Sequence, residues 1–264
     1  METMIEKITM SKPIEFIDKN VELICIRAGW DYDGDGKISY ADAAQVKDLG
    51  KAFSNSSKIM SPITVESFNE LRFFTGLIEI SDFTFCECKQ LKSLSIPDSV
   101  IRIGKAAFMG CSQLSLVSFS SKLEEIDALA FSGCKALQSI LLPNTLKAIG
   151  KSAFCGCANI EEVILGNPST TILVEKYAFA GCRKLSSINI SESLLADYIE
   201  RHVFSGGMEM RYLGQVPVEK NYKLKFQSPT KKDRYEYEDY SRDDLEDMYR
   251  DAMGGDVSNE WNID

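Results

Sequence analysis

The chain has 264 residues, with 30 Lys+Arg against 39 Asp+Glu and a formal net charge of −9. That balance argues against a basic nucleic-acid groove. No stretch approaches the ~20 apolar residues of a membrane-spanning helix, and the length suffices for a sizeable core.

The opening "METMIEKITMSK" contains acidic residues and no apolar run, so it does not read as a signal peptide. As written the chain reads as cytoplasmic, and its eight cysteines are then expected as reduced thiols. Residues 1–70 are expected to form a small helical cap. "KNVELICIRAGW" places Val21, Ile24, Cys25 and Ala28 at helical spacing. "YADAAQVKDLG" repeats the pattern with Ala43, Val46 and Leu49, and Gly50 is its expected C-cap.

Between these helices lies "DYDGDGKISYAD", residues 31–42. Asp31, Asp33 and Asp35 stand at alternate positions, each offering a carboxylate oxygen. Gly36 takes the sharp turn, and Ile38 is expected to pack against the flanking helices. Lys37 would contribute its backbone carbonyl, Ser39 the position where water often intervenes, and Asp42 the last oxygen. Four carboxylates this close repel one another without a hard cation. The spacing is that of an EF-hand, and the loop also resembles a dockerin calcium loop. Calcium is the expected ligand, with magnesium competing because Asp42 is shorter than the usual glutamate. The bland alternative is an Asp/Gly turn that needs no metal. With no second loop the site reads as a structural cap rather than a sensor, and the repeats are expected to stay folded without metal because their core lies elsewhere. "SFNELRFFTGLIEI" supplies an apolar joint between this cap and the repeats.

From residue 71 to 214 the chain repeats itself. Phe85, Phe108, Phe131, Phe154, Phe179 and Phe204 mark six units, spaced by 23, 23, 23, 25 and 25 residues. A fixed period in this range is the mark of a solenoid whose units bury a face only by stacking. Each phenylalanine is followed by an apolar triplet, such as Leu91/Leu94/Ile96 or Leu137/Ile140/Leu142. The last two members of each triplet lie two apart and so share one face of a strand. A second apolar pair comes next, such as Val100/Ile103 and Leu146/Ile149, with Gly104 and Gly150 permitting a tight corner. The run "IPDSVIRIGKAAFMGCSQL" resembles the BspA-type leucine-rich repeats of bacteria, and the N-terminal loop resembles the calcium segment that precedes some such arrays. The resemblance implies a parallel-stranded, mixed α/β leucine-rich repeat solenoid without catalytic machinery, in proteins commonly secreted or on the cell surface that bind other macromolecules.

Cys88, Cys111, Cys134, Cys157 and Cys182 share one slot of the repeat. Strands stack at about 4.8 Å, so their thiols form a column of small buried hydrophobes. Disulfides or a metal cluster are the sharper alternatives. "CEC" and "CGC" have too short a spacing for a structural zinc pair, and the chain has one histidine. That residue, His202, reads as a corner residue, and no nucleophile–base signature accompanies it. The chain is therefore expected not to be an enzyme.

On the strands the outward positions are mostly serine. Leu116, Leu141 and Ile164 interrupt them and could form a modest apolar patch for a protein partner, although scattered exposed apolar residues are also normal. A linker is expected at 215–232 and a disordered acidic tail at 233–264, with 12 acidic and 3 basic residues. Within it "SRDDLEDMYRDAMGG" carries helix signals and places Leu245, Met248 and Tyr249 on one face, either as part of a solvated tail or as a helix that folds onto a partner. Two functions remain open: a monomeric, non-enzymatic scaffold for protein–protein interaction with a structural calcium loop, or a secreted or surface adhesin, stabilised by calcium, that binds host protein or glycan.

Overall fold

The computed structural model describes residues 9–53, 64–166, 172–188, 203–204 and 222–223. The segments expected as linker and acidic tail lie outside these apart from Tyr222–Lys223, as does His202.

The repeats form a parallel-stranded solenoid with two walls. Strands β1 (Ser67–Phe68), β3 (Ser93–Ser95), β5 (Leu116–Ser118), β7 (Ser139–Leu142), β9 (Glu162–Leu165) and β11 (Ser187–Ile188) make the front wall. The rear wall consists of β2 (Glu79–Ile80), β4 (Arg102–Ile103), β6 (Glu125–Ile126), β8 (Ala148–Ile149) and β10 (Leu173–Val174). The rear wall pairs in parallel from coil to coil throughout, and the front wall does so except between β5 and β7. One further strand, β12 (Tyr222–Lys223), pairs antiparallel with β11 at the C-terminal end. The apolar triplets turn inward as the sequence requires: Leu94, Ile140, Val163 and Ile188 are all buried.

A third ladder runs along the corner between the walls. The Phe85 N–H donates to the Ala107 carbonyl, Phe108 to Ala130 and Phe131 to Ala153, each at 2.7 Å. Backbone bonds of this kind fix the spacing of the side chains. The rings of Phe85, Phe108, Phe131, Phe154 and Phe179 therefore stack nearly parallel, 4.9–5.3 Å apart. Free aromatic pairs favour offset or edge-on contact; here the strand spacing imposes the parallel arrangement.

Gly104 and Gly150 are needed for proximity rather than for turning. Neither has a positive φ, but a Cβ on Gly150 would lie 2.5 Å from the Ala128 nitrogen of the previous coil. The left-handed corner positions belong instead to Leu129, Ser152 and their equivalents, and to Gly133 and Gly156.

The cap contains α1 (Lys19–Arg27) and α2 (Tyr40–Gln45). Asp18 caps α1 through the Asn20 N–H, and its other oxygen accepts the Glu66 N–H at 2.7 Å beside β1. Helix α2 is shorter than its sequence pattern predicts. It ends at Gln45, where Val46 turns extended, and Gly50 does not cap it. Tertiary contact decides this. Val46 and Leu49 are buried against the coils, and the Ala44 and Val46 carbonyls come so close to Gly76 that a Cβ there would meet them at 2.4 and 2.5 Å.

Phe53 of the cap stacks on Phe85, 5.1 Å between centroids, and thereby begins the phenylalanine column. Cap and coils share one apolar cluster that runs from Ile14 to Phe204. The core of the repeats thus does not lie apart from the cap, and the strand pairing begins at Ser67, before residue 71.

Candidate functional site

The loop at 31–42 is built around its aspartates. Asp31 accepts the Gly34 N–H on Oδ1 and the Gly36 N–H on Oδ2, both at 2.9 Å. Asp33 accepts the Asp35 N–H at 3.2 Å, and Asp35 accepts the Lys37 N–H at 2.8 Å. Gly34 and Gly36 turn the chain with φ of 74° and 84°. One oxygen from each of Asp31, Asp33 and Asp35 lies within 4.8 Å of the others. The Asp35 N–H pulls the Asp33 carboxyl down, but desolvation and the neighbouring charges of Asp35 and Asp42 outweigh it, so this carboxyl sits above its ordinary value.

Asp42 is placed differently. It is buried, and its Oδ1 accepts the Tyr32 N–H at 3.1 Å. Its Oδ2 accepts the Ser39 N–H and the Ser39 hydroxyl, while the Ser39 oxygen in turn accepts the Asp42 N–H and caps α2. Asp42 is not a member of the three-carboxylate cluster. Ser39 is the N-cap, and the Lys37 side chain is exposed.

Sequence reasoning found no second loop to pair with this one. The structure supplies a substitute: the Ile14 N–H donates to the Ile38 carbonyl at 2.8 Å, and the Tyr40 N–H to Lys12 at 3.1 Å. Three residues without a periodic pattern gave no signal for this.

On the front wall Leu116 is 61% exposed and Leu141 67%. Ile164 is half-buried and lies in register beside Leu141. Leu116 belongs to β5, which does not pair with β7, so it stands across a gap in the wall from the other two. Leu245, Met248 and Tyr249 lie outside the described residues.

The cysteine column has a use that its spacing did not reveal. Each thiol donates to the carbonyl of the phenylalanine one coil back: Cys88 to Phe53 at 2.8 Å, Cys111 to Phe85 at 3.0 Å, Cys134 to Phe108 and Cys157 to Phe131 at 3.1 Å, and Cys182 to Phe154 at 3.3 Å. All eight cysteines are free. Burial pushes the thiols of Cys111, Cys134 and Cys182 far above their usual value. The half-buried Cys155 and Cys86 are pushed up to about 11 and about 12 by the same cause. Since the thiolate is the reactive form, native protein at pH 8 should label slowly at Cys86 and Cys155, and at Cys111, Cys134 and Cys157 only after unfolding. Mass spectrometry of the labelled peptides checks this, and fast native labelling of those three would contradict the column.

Among the described residues no helix is long and apolar enough to cross a membrane. Residues 78–211 match the BspA type leucine rich repeat region in six copies. Among solved structures, a leucine-rich repeat protein from Bacteroides ovatus is 35% identical over 44% of this chain and 30% of its own, with a TM-score of 0.41. A leucine rich cell surface protein from Faecalibacterium prausnitzii is 27% identical over 45% of this chain and 38% of its own, with a TM-score of 0.35. The leucine rich repeat protein of T. pallidum is 22% identical over 49% of this chain and 81% of its own, with a TM-score of 0.39. The chain thus spans less than two thirds of the length of the first two. No curated protein matches it. With six repeat copies across just over half its length, the chain belongs to the BspA type leucine rich repeat family.

Proposed function

We propose that this protein is a non-enzymatic scaffold for protein–protein interaction that uses the front wall of its solenoid, with a calcium-binding loop that stiffens the N-terminal cap. The observation that carries the first part is the exposed Leu141, with Ile164 beside it, on a parallel-stranded wall whose outward positions are mostly serine. Apolar side chains held on such a surface suit a protein contact. Leu141→Glu should abolish capture of the partner from a lysate while leaving the circular dichroism unchanged, and capture that survives would move the interface elsewhere.

The residues fit a hard cation in part. Asp31, Asp33 and Asp35 bring oxygens together, and each carboxylate oxygen that accepts one N–H keeps a second lone pair. Asp42 is committed to Tyr32 and Ser39, which favours a weak site suited to the millimolar calcium outside cells. That supports a second reading, a secreted or surface adhesin stabilised by calcium.

Calcium binding to the folded state alone raises stability by about 2.7 kcal/mol at a hundredfold excess over Kd. Because cap and coils share one core, the stabilisation should reach the first coil as well. Calorimetry should show heat and a raised Tm with millimolar calcium, both absent in Asp31→Ala/Asp35→Ala. Neither heat nor shift in the wild type would leave the loop as a turn.

A further inference from the structure

The front wall is interrupted at one step. β1, β3 and β5 form one run, and β7, β9 and β11 belong to another; β5 and β7 do not pair. The rear wall crosses the same step unbroken through β6 and β8.

At the neighbouring steps the same backbone bonds recur. The Ser115 and Leu116 N–H groups donate to Lys92 at 3.0 and 3.2 Å, and those of Glu161 and Glu162 donate to Gln138 at 2.7 and 3.4 Å. Among the described residues the equivalent bonds from Gln138 and Ser139 to Ser115 are not formed.

One side chain at this step differs in size from its neighbours. Phe119 occupies the slot held by Ile96 one coil before and Leu142 one coil after, both buried. Its larger ring stands edge-on to Phe131, at 5.7 Å and 74°. Overfilling a packed slot displaces the backbone that carries it. Phe119 and Val117 are accordingly only half-buried, whereas Leu94 and Ile140 in the adjacent coils are 1% and 2% exposed. Elsewhere the coils on either side stay joined. Phe108 and Phe131 stack at 4.9 Å, and the Thr145 hydroxyl donates to the Leu123 carbonyl at 2.7 Å.

We propose that the step between β5 and β7 is a hinge. The front wall spreads there, the rear wall and the phenylalanine corner serve as the pivot, and the solenoid moves as two rigid halves. Leu116 and Leu141 stand on opposite lips of the gap, so the hinge sets the distance between the two most exposed leucines of the coils. The hinge goes beyond the proposed scaffold role and stands whether or not this wall binds a protein.

Amide hydrogen exchange on the full chain tests it. Gln138 and Ser139 should exchange at least roughly tenfold faster than their slot equivalents Glu161 and Glu162. Phe119→Leu, which restores the size of the neighbouring coils, should slow them to the level of those equivalents. Equal protection in the wild type overturns the hinge, and so does unchanged exchange in a folded Phe119→Leu.

Motion is read separately by pulsed spin-label distances in a Cys86→Ser/Cys155→Ser background. A Ser93→Cys/Glu162→Cys pair spans the gap on the front wall. A Glu79→Cys/Ala148→Cys pair spans the same step on the rear wall. The front distribution should be the broader one; equal widths overturn the hinge even where Phe119→Leu fails to fold.

Discussion

Phe131→Ala should destabilise the protein by about 3–5 kcal/mol, the range for emptying a large aromatic site in a packed core. Phe131 is fully buried, with Phe108 at 4.9 Å on one side and Phe154 at 5.2 Å on the other. In a solenoid each coil is held mainly by its neighbours, so one missing ring weakens two interfaces at once. Urea unfolding should show a lower midpoint and a shallower slope, because the halves of the array no longer melt together. A loss below about 1 kcal/mol would mean that the coils close over the vacancy, a collapse that the backbone ladders should prevent.

Phe53→Ala should cost a similar amount, about 3–5 kcal/mol, but at a different place. Its ring meets Trp30 at 6.1 Å, Phe68 at 5.0 Å and Phe85 at 5.1 Å. Its carbonyl receives the Cys88 thiol. Removing the side chain unplugs the cap from the first coil while leaving every interface between later coils intact. Trp30, now buried, should shift its emission to the red at a urea concentration where the coils remain folded by circular dichroism. One transition, coincident by both probes, would show that the cap and the coils do not separate.

Phe53 also shows where the sequence stopped being legible. The stretch "GKAFSNS" at 50–56 is a shortened copy of "GKAAFMGCS" at 104–112. It lacks one alanine, has Ser54-Asn55-Ser56 where the later copy has Met109-Gly110-Cys111, and lies 32 residues before Phe85 rather than 23. A search by period passes over it, although the side chain performs the same task as the other phenylalanines. The front wall was readable because every unit repeats an apolar triplet whose last two members lie two residues apart. The rear strands have two residues each, too few to show an alternation. Glu70 was hidden for another reason. The register from Ser67↔Ser93 and Phe68↔Leu94 puts it in the apolar slot of Ile96. There it is buried, one oxygen accepting the Ile17 N–H at 3.3 Å and the other without a partner. Only the presence of the cap explains a carboxylate in that slot.

At the loop, the sequence established which oxygens are near one another for Asp31, Asp33 and Asp35, since a tight turn with Gly34 and Gly36 leaves them nowhere else to go. It did not establish the partners of Asp42. That carboxylate begins a helix, and a helix start with serine three residues earlier offers a competing set of donors. Spacing alone does not say which set is used.

The thiol column has a consequence for the surroundings in which the array can persist. Cysteine is ordinarily a liability where oxidants are abundant, because the thiolate is attacked first and a sulfenic acid or a stray disulfide results. Six of the eight cysteines are buried here, and the protons of five are held by carbonyls of the neighbouring coil. While the protein stays folded, the column of five has cysteine's small size and its donor without its redox chemistry, which is left to the half-buried Cys86 and Cys155. Its shape is then indifferent to whether the medium is reducing or oxidising. For these thiols each passage through the unfolded state is the moment of exposure, so the rate of unfolding, rather than the redox potential outside, sets how long the column survives in air.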